Sequence, residues 1–202
     1  MIGVSVQHID EQRIEQDSAY RFQYLAEFLQ FGEYDLEAIA AVRPALLPHI
    51  PVLVDVVYEK LAMYDCTWRH FMPDQAGQAG ADVGSLAELG LDHPQIRFRK
   101  QHLTRYVERL LSGPYDGKLV LYLDMVGKIH TAEAGNPRLQ IPLVQMNALL
   151  GFVADALIAT LLASPATTPH YQPAIRAFSK LLWIQNDFIN RHYAQRPDTT
   201  PQ

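Results

Sequence analysis

The chain has 202 residues, of which 49% are hydrophobic and 19% are charged. This balance predicts a sizeable hydrophobic core and excludes global disorder. The net charge of −5 provides no basic surface of the kind that binds nucleic acid, so we expect no nucleic-acid partner. The single cysteine, Cys66, cannot form an intrachain disulfide, and residues 1–12 lack the pattern of a signal peptide. We therefore expect a cytoplasmic protein.

Helical periodicity runs through nearly the whole chain, and no run of alternating strand residues occurs. The first half of the sequence predicts three helices, over residues 17–31, 34–46 and 51–64. A short helix or turn follows over residues 66–72. Residues 73–92 are rich in Gly, Ala and Asp, so they predict a loop with one helical turn.

The second half predicts four further helices, over residues 94–112, 117–131, 141–163 and 173–194. The predicted fold class is therefore all-α. We assign residues 1–17 to an N-terminal extension, residues 18–194 to one domain and residues 195–202 to a disordered polar tail.

Residues 141–163 form an apolar stretch that is long enough to span a bilayer. The stretch contains Gln145, Asn147 and Asp155, and an aspartate at mid-bilayer costs roughly 2.5–3.5 kcal/mol. No basic cluster flanks it. We interpret it as a soluble helix that is buried on most sides, and we expect no membrane association.

His130 comes at the end of the predicted helix 117–131. At 100° per residue it falls on the same side as Leu119, Leu123 and Val126, where the core is expected. One interpretation is a structural histidine that bonds a backbone carbonyl or lies at a helix end, where a cation suits the dipole. The other is a metal ligand, since neutral histidine is the commonest one in proteins.

The surroundings of His130 in the sequence limit which metal it could hold. No second histidine follows at i+3 or i+4, and no HExxH or CxxC motif occurs, so a zinc site built from protein ligands alone is poorly supported. One imidazole in an apolar helical pocket suits a cofactor that brings its own remaining donors. Haem does so, because the porphyrin supplies four nitrogens and the protein the axial one.

Two further residues are candidates for the same pocket. His102 lies at the edge of an apolar row that contains Phe98 and Tyr106, so it either extends to solvent or faces the pocket. Tyr58 borders the apolar stripe of the third helix, where it is either an ordinary core tyrosine or a hydroxyl donor inside the pocket. Phe71 belongs to an aromatic corner that could form core or wall a flat ligand.

Other catalytic constellations are missing from the sequence. It contains no GxSxG, Walker or strand-flanked GxGxxG motif. Cys66 and His70 are four residues apart, but no third group accompanies them, so we treat this pair as incidental.

Three segments, in order, carry a resemblance to a known family. The segment DLEAIAAVRPALLPHIPVLVDVVYEKL (35–61) echoes the pattern DLxxLxxxRPxLxPxxxxxVDxFYExL. The second, RYVERLLSGPYDGKLVLYLDMVGKIH (105–130), follows RHFxxLFSGxYDxxYxxxRxxIGxxH, and the third is the final helical segment FSKLLWIQNDFINRHY (178–193). Over about residues 18–194 the chain resembles the globin domain of the globin-coupled sensors and the protoglobins.

The resemblance implies a globin fold of the 3-over-3 type, with an extra N-terminal helix and long G and H helices. It implies haem b as the cofactor, with His130 as the proximal iron ligand. It places Tyr58 on the B helix at the distal side, and either His102 or, by a one-residue slip, Leu103 on the E helix facing the sixth site of the iron. The remaining expected haem contacts are Phe71, Phe98, Val126 and Met146.

The chain departs from the family pattern at three places. Many members carry two histidines in tandem, whereas Thr131 follows His130 here. Val57 stands where protoglobins often have tryptophan, and residues 132–147 replace the usual segment that opens the G helix with tryptophan. These differences affect the shape of the pocket and ligand access to it, and they leave the proximal assignment in place.

The function that we predict is reversible binding of a diatomic gas, O₂, CO or NO, in a gas sensor. Bound O₂ carries negative charge on its outer atom, so a donor such as the Tyr58 hydroxyl would stabilise it by about 1–1.5 kcal/mol. His102 could be a second donor, or it could ligate the iron itself. One alternative is a redox enzyme of the peroxidase or NO dioxygenase type, and another is a haem-free helical interaction module.

The last helix has apolar residues on more than one side, more than a surface helix needs. We predict a homodimer that packs through the G and H helices as a four-helix bundle. The alternative is a final helix that is fully enclosed within the monomer. The residues concerned are Phe178, Leu181, Leu182, Trp183, Ile184, Phe188 and Ile189.

Overall fold

The computed structural model describes residues 6–72, 85–134, 139–165 and 170–194. All regular structure in these ranges is helical, which confirms the predicted all-α class. Short 3-10 turns lie at Leu47–His49, Arg69–Phe71, Leu86–Glu88 and Ala132–Ala134. The α-helices of the described ranges are α1 (Glu11–Gln16), α2 (Ser18–Leu29), α3 (Glu33–Leu46), α4 (Ile50–Ala62), α5 (Asp65–Trp68), α6 (Pro94–Ser112), α7 (Gly117–Lys128), α8 (Leu143–Ala163) and α9 (Tyr171–Ala194).

Local chemistry explains where several of these helices begin. Asp17 accepts hydrogen bonds from two backbone N–H groups in the first turn of α2, at 3.0 and 3.1 Å. Asp116 caps α7 in the same way, with both bonds at 3.1 Å. Pro51 and Pro94 occupy the first turns of α4 and α6, where the missing N–H costs nothing.

The last helix, α9, lies at the centre of the domain because it packs against α3, α7 and α8. Its apolar residues are covered by these neighbours, so they do not form a free face for a second copy of the chain. Trp183 is the exception, with 64% of its surface exposed. The buried members of the predicted apolar rows are Phe178, Leu181, Leu182, Ile184, Phe188 and Ile189.

The helices α7 and α9 meet at Gly127 with no space for a side chain. A Cβ atom at this position would lie 2.5 Å from the backbone oxygen of Phe188, 2.8 Å from the His192 ring and 3.0 Å from the Cα of Ile189. The contact brings two helix backbones closer together than any larger residue would allow.

A polar cluster lies beside this contact. The buried His192 ring of α9 lies between two carboxylates, with Nδ1 2.9 Å from Glu133 and Nε2 3.1 Å from Asp124. Arg191 donates to the same Asp124 oxygen at 3.2 Å. The end of α7 and the turn that follows it are therefore held to α9 by both packing and hydrogen bonds.

The described helix ends lie within two residues of the predicted ones except at the end of α7, and one further helix, α1, was not predicted. The extension predicted over residues 1–17 contains α1, which Asp10 caps through a 2.9 Å bond to the Arg13 N–H. The helix predicted to reach residue 131 ends at Lys128, because the next residues make i→i+3 bonds, among them His130 N–H to the Gly127 carbonyl at 3.3 Å.

The predicted loop at residues 73–92 is only partly described. Leu86–Glu88 forms one helical turn in it, as expected, and residues 73–84 lie outside the described residues. The predicted tail, residues 195–202, also lies outside them.

Two helical stretches, Glu33–Ala62 and Leu143–Ala163, are long and apolar enough to cross a membrane by length and composition alone. The expectation that residues 141–163 form a helix buried on most sides is wrong, because one side alone packs on the domain. The buried residues of that helix are Met146, Val153, Leu157 and Leu161. The second stretch, which is α8, contains the exposed Asp155 and the exposed Asn147.

The contact at Gly127 generates a prediction with a matched control. We expect Gly127→Ala to lower the free energy of unfolding by about 1–3 kcal/mol, because the methyl group would push the backbones of α7 and α9 apart. Gly117 is the first residue of α7 and has open space around it, so Gly117→Ala should keep stability or raise it by at most about 1 kcal/mol.

Urea unfolding of both variants, followed by circular dichroism, measures the two effects. Equal midpoints for the Gly127→Ala variant and the unmodified protein would contradict the close contact.

Candidate functional site

A cavity of about 280 Å³ lies between α4, α6, α7 and the first half of α8. Its lining is mostly aliphatic and aromatic, as is typical of sites that hold a small molecule or cofactor. All but one of the residues predicted for the site contribute to the lining. They are Tyr58, Phe71, His102, Leu103, Val126, His130 and Met146.

The imidazole of His130 enters the cavity in a defined orientation. Its Nδ1 lies 2.6 Å from the backbone oxygen of Val126, one helical turn earlier. A carbonyl oxygen only accepts, so the Nδ1 carries the hydrogen and donates it. The Nε2 then keeps its lone pair and is the free nitrogen of the ring.

The environment keeps this imidazole neutral. Burial lowers the pKa of His130 below its ordinary value of 6.5, the bond to the Val126 carbonyl opposes that shift, and the positive charge of Arg99 lowers the pKa further. A neutral imidazole with one nitrogen occupied by a carbonyl is the form that coordinates a metal ion.

Tyr58 reaches the cavity from α4. Only 5% of its surface is exposed, and its ring packs on Phe71 with a centroid separation of 5.6 Å. The contacts of Tyr58 among the described residues are with its ring, on Phe71 and at 5.9 Å from the Lys100 Nζ, and none is a hydrogen bond of its hydroxyl. Burial raises the pKa of Tyr58 well above its ordinary value, against the opposing charge of Arg99, so the hydroxyl remains a donor.

The two α6 candidates, His102 and Leu103, both line the cavity. Leu103 is half-buried and packs against the core, whereas His102 is exposed. Phe98 is the one predicted site residue that is not part of the lining. It is 48% exposed, and its ring packs edge-on against the His102 ring with a centroid separation of 4.4 Å. The cavity therefore opens towards solvent near His102.

His70 was not predicted as a site residue, yet it lines the cavity. Neither of its ring nitrogens has a hydrogen-bond partner among the described residues. The Gln145 amide lies beside the ring, but its nitrogen donates to the Cys66 carbonyl at 3.0 Å. Burial lowers the pKa of His70 and the charge of Arg69 lowers it further, against the effect of Gln145. The spacing of Cys66 and His70 in the sequence did not reveal this position.

Arg99 is the second unpredicted member of the lining. Its Nε is buried and has no partner among the described residues. The sequence signal was weak, because an arginine in an amphipathic helix ordinarily belongs to the solvated face.

The described residues contain no group of three or more His, Cys, Asp or Glu side chains arranged to hold a metal ion. A metal in this cavity would therefore have to arrive with most of its own ligands.

Comparison with known proteins identifies what the chain is similar to. The profile of the protoglobin family matches residues 18–198. The globin domain of a Geobacter sulfurreducens globin-coupled sensor superimposes with a TM-score of 0.66 at 18% sequence identity, covering 86% of this chain and 97% of that chain. At this identity the likeness shows the fold alone, which is the all-α globin fold. A search of curated proteins finds no match.

Proposed function

Because the chain belongs to the protoglobin family, we propose that it binds haem b in this cavity and that a diatomic gas enters opposite His130. O₂, CO and NO are the candidate gases. The observation that carries the proposal is the hydrogen bond from His130 Nδ1 to the Val126 carbonyl, which leaves Nε2 free inside an apolar cavity.

The residues present fit a haem group. A porphyrin needs an apolar, partly aromatic space and one axial nitrogen, and the cavity offers both. Val126 and Met146 lie in the lining as aliphatic contacts, and Phe71 adds an aromatic wall. When bound, the haem iron supplies a coordination position at which a small gas molecule can bind reversibly.

The polypeptide orients the axial nitrogen and shields the site. The Val126 carbonyl fixes the tautomer of His130 and the direction of its ring, as outer hydrogen bonds do for metal-ligating histidines. The aliphatic lining lowers the local dielectric constant around the ring, which strengthens polar interactions within the cavity.

We assign Tyr58 as the donor to the gas ligand. Its hydroxyl lines the cavity, is free of partners among the described residues and keeps its proton. His102 is an alternative donor or an axial ligand, since it also lines the cavity. An axial role would require the exposed ring to turn inward and leave its contact with Phe98.

We further propose a cytoplasmic gas sensor that acts as a homodimer. The exposed residues on one face of α8 are spaced three and four apart, and they are apolar except for Asp155 at the centre of the row. Trp183 adds an exposed aromatic surface on α9. A second copy of the chain would cover these residues, and the apolar members on α8 are Val144, Ala148, Gly151, Ala159 and Leu162.

The axial ligand is tested by His130→Gly. We expect the ferrous–CO spectrum of a histidine-ligated haem to disappear. We also expect haem affinity to fall by at least about tenfold, because losing only a hydrogen-bond partner of a metal ligand lowers metal affinity about 10- to 100-fold. Added imidazole should restore the spectrum by filling the space left by the side chain.

His70→Ala is the matched control, since its ring lines the same cavity and has no proposed role. A wild-type ferrous–CO spectrum from His130→Gly without imidazole would exclude His130 as the ligand. If the unmodified protein develops no Soret band with haem, the proposed function itself fails and the haem-free interaction module is favoured. Rapid peroxide turnover would favour the redox enzyme instead.

The donor role of Tyr58 predicts a selective effect on O₂. We expect Tyr58→Phe to speed O₂ dissociation about tenfold, since one hydrogen bond is worth about 1–1.5 kcal/mol. CO dissociation should change much less, because CO attracts a donor weakly. Stopped-flow ligand replacement measures both rates. Tyr106→Phe is the control on the same cavity, and an O₂ effect confined to that variant would reject Tyr58 as the donor.

The dimer is tested by a charge on the exposed α8 face. We expect the unmodified protein to sediment at twice the 22.9 kDa chain mass, and Leu162→Glu to shift it towards the monomer. Phe28→Glu is the control, because Phe28 is an exposed apolar residue on α2, away from this face, at 74% exposure. A monomeric unmodified protein would contradict the proposed dimer.

A further inference from the structure

We propose that Arg99 is an anion-binding residue of the cavity, which pairs with an anionic group that the ligand brings. Two sources fit this chemistry. One is a carboxylate of the haem, and the other is a small anion that binds at the iron. The inference rests on the proposed haem binding, and it adds a charged recognition group to a cavity that is otherwise mostly apolar.

The position of Arg99 supports the proposal. The side chain lines the cavity from α6, and its Nε is buried without a hydrogen-bond partner among the described residues. Its charge acts on groups from two sides of the cavity, since it lowers the pKa of both Tyr58 on α4 and His130 after α7. The guanidinium therefore lies within electrostatic reach of both expected faces of the haem.

The charge of Arg99 has no counter-charge in the protein as described. No carboxylate of the described residues lies within 4.0 Å of its guanidinium. A buried donor without a partner is costly, and a charged one is more so. Such a group is expected at a binding site, where a ligand supplies the missing hydrogen-bond partner.

Arg109 on the same helix also has a buried nitrogen without a described partner, its Nη1, but unlike Arg99 it pairs with a carboxylate. The Lys100 Nζ lies 2.8 Å from the Asp55 Oδ1, and the Arg109 Nη2 lies 3.4 Å from the Asp116 Oδ1. Arg97 and Arg105 are exposed to solvent. Arg99 thus differs from the rest of the helix in being directed inward with its charge uncompensated.

The chemistry of arginine favours a carboxylate-like anion. The planar guanidinium presents several N–H donors in a fixed fork, which matches two oxygens of one carboxylate. The cavity also contains a neutral donor, the Tyr58 hydroxyl, but no carboxylate side chain in its described lining. An anion in the cavity would therefore meet donors and would meet no opposing negative charge there.

The experiment compares Arg99→Met with the unmodified protein in two binding arms. In the first, apo-protein is titrated with haem and with haem dimethyl ester, which lacks the carboxylates, and the Soret band is followed. In the second, the ferric haem-loaded protein is titrated with azide. Arg99→Lys tests whether charge alone suffices, and Arg97→Met is the control for loss of an exposed arginine on the same helix.

A haem carboxylate as the partner predicts that Arg99→Met weakens haem binding about tenfold or more and leaves the dimethyl ester unaffected. An anion at the iron predicts unchanged haem binding and azide affinity that falls by about the same factor. Arg97→Met should match the unmodified protein in both arms.

The stability of the apo-protein distinguishes recognition from a structural role. Arg99→Met should leave the urea midpoint of the apo-protein unchanged or raise it, because it removes an unpaired buried charge. Unaltered affinities in both arms, with a normal Soret band, would overturn the inference and leave the proposed haem binding standing. A lowered midpoint with unaltered affinities would also overturn it, since Arg99 would then be structural. No Soret band in the unmodified protein would reject both.

Discussion

The close contact of α7 with α9 at Gly127 determines where the candidate site lies. Because Gly127 has no side chain, α7 rests directly on the backbone of α9 at Phe188 and Ile189. The His192 ring, held between Asp124 and Glu133, fixes the turn after α7 to the same helix. His130 emerges from this turn, so its direction is set by α9 as much as by its own helix. Any displacement of His130 along the helix axis would also act on α9, which forms the centre of the domain.

The sequence predicted the helices well because their signals are local. Apolar spacing and first-turn prolines act within a few residues, and the predicted start near residue 94 matches α6. The structure adds that Asp17 and Asp116 cap α2 and α7 close to the predicted starts. The early end of α7 at Lys128 depends on i→i+3 bonds in the following turn, which periodicity does not register. His70 and Arg99 escaped prediction for a related reason. Their orientation towards the cavity depends on how distant segments pack together, whereas their own stretches contain no repeated pattern that marks them.

The structural and functional interpretations of His130 turn out to describe one arrangement. The bond from Nδ1 to the Val126 carbonyl is what a structural histidine at a helix end would make. The same bond selects the tautomer whose Nε2 is an acceptor, which is the requirement for a metal ligand. Spacing alone could not separate the two interpretations, because they share this contact. What separates them is the cavity on the other side of the ring, which a purely structural histidine has no need to face.

The polar groups of the cavity restrict which ligands it can favour. The Tyr58 hydroxyl keeps its proton because burial outweighs the opposing effect of the Arg99 charge on its pKa. The Arg99 guanidinium has donors only, and the free Nε2 of His130 is the acceptor that a metal would occupy. With that nitrogen occupied, Tyr58 and Arg99 both offer donors, although the Tyr58 oxygen and one nitrogen of a neutral His70 ring can also accept. A bound ligand whose outer atom carries negative charge is stabilised by both groups, whereas a nearly non-polar ligand is stabilised little by either. We therefore propose that the cavity discriminates among small ligands by charge distribution more than by size, since its aliphatic walls contact ligands of similar volume alike.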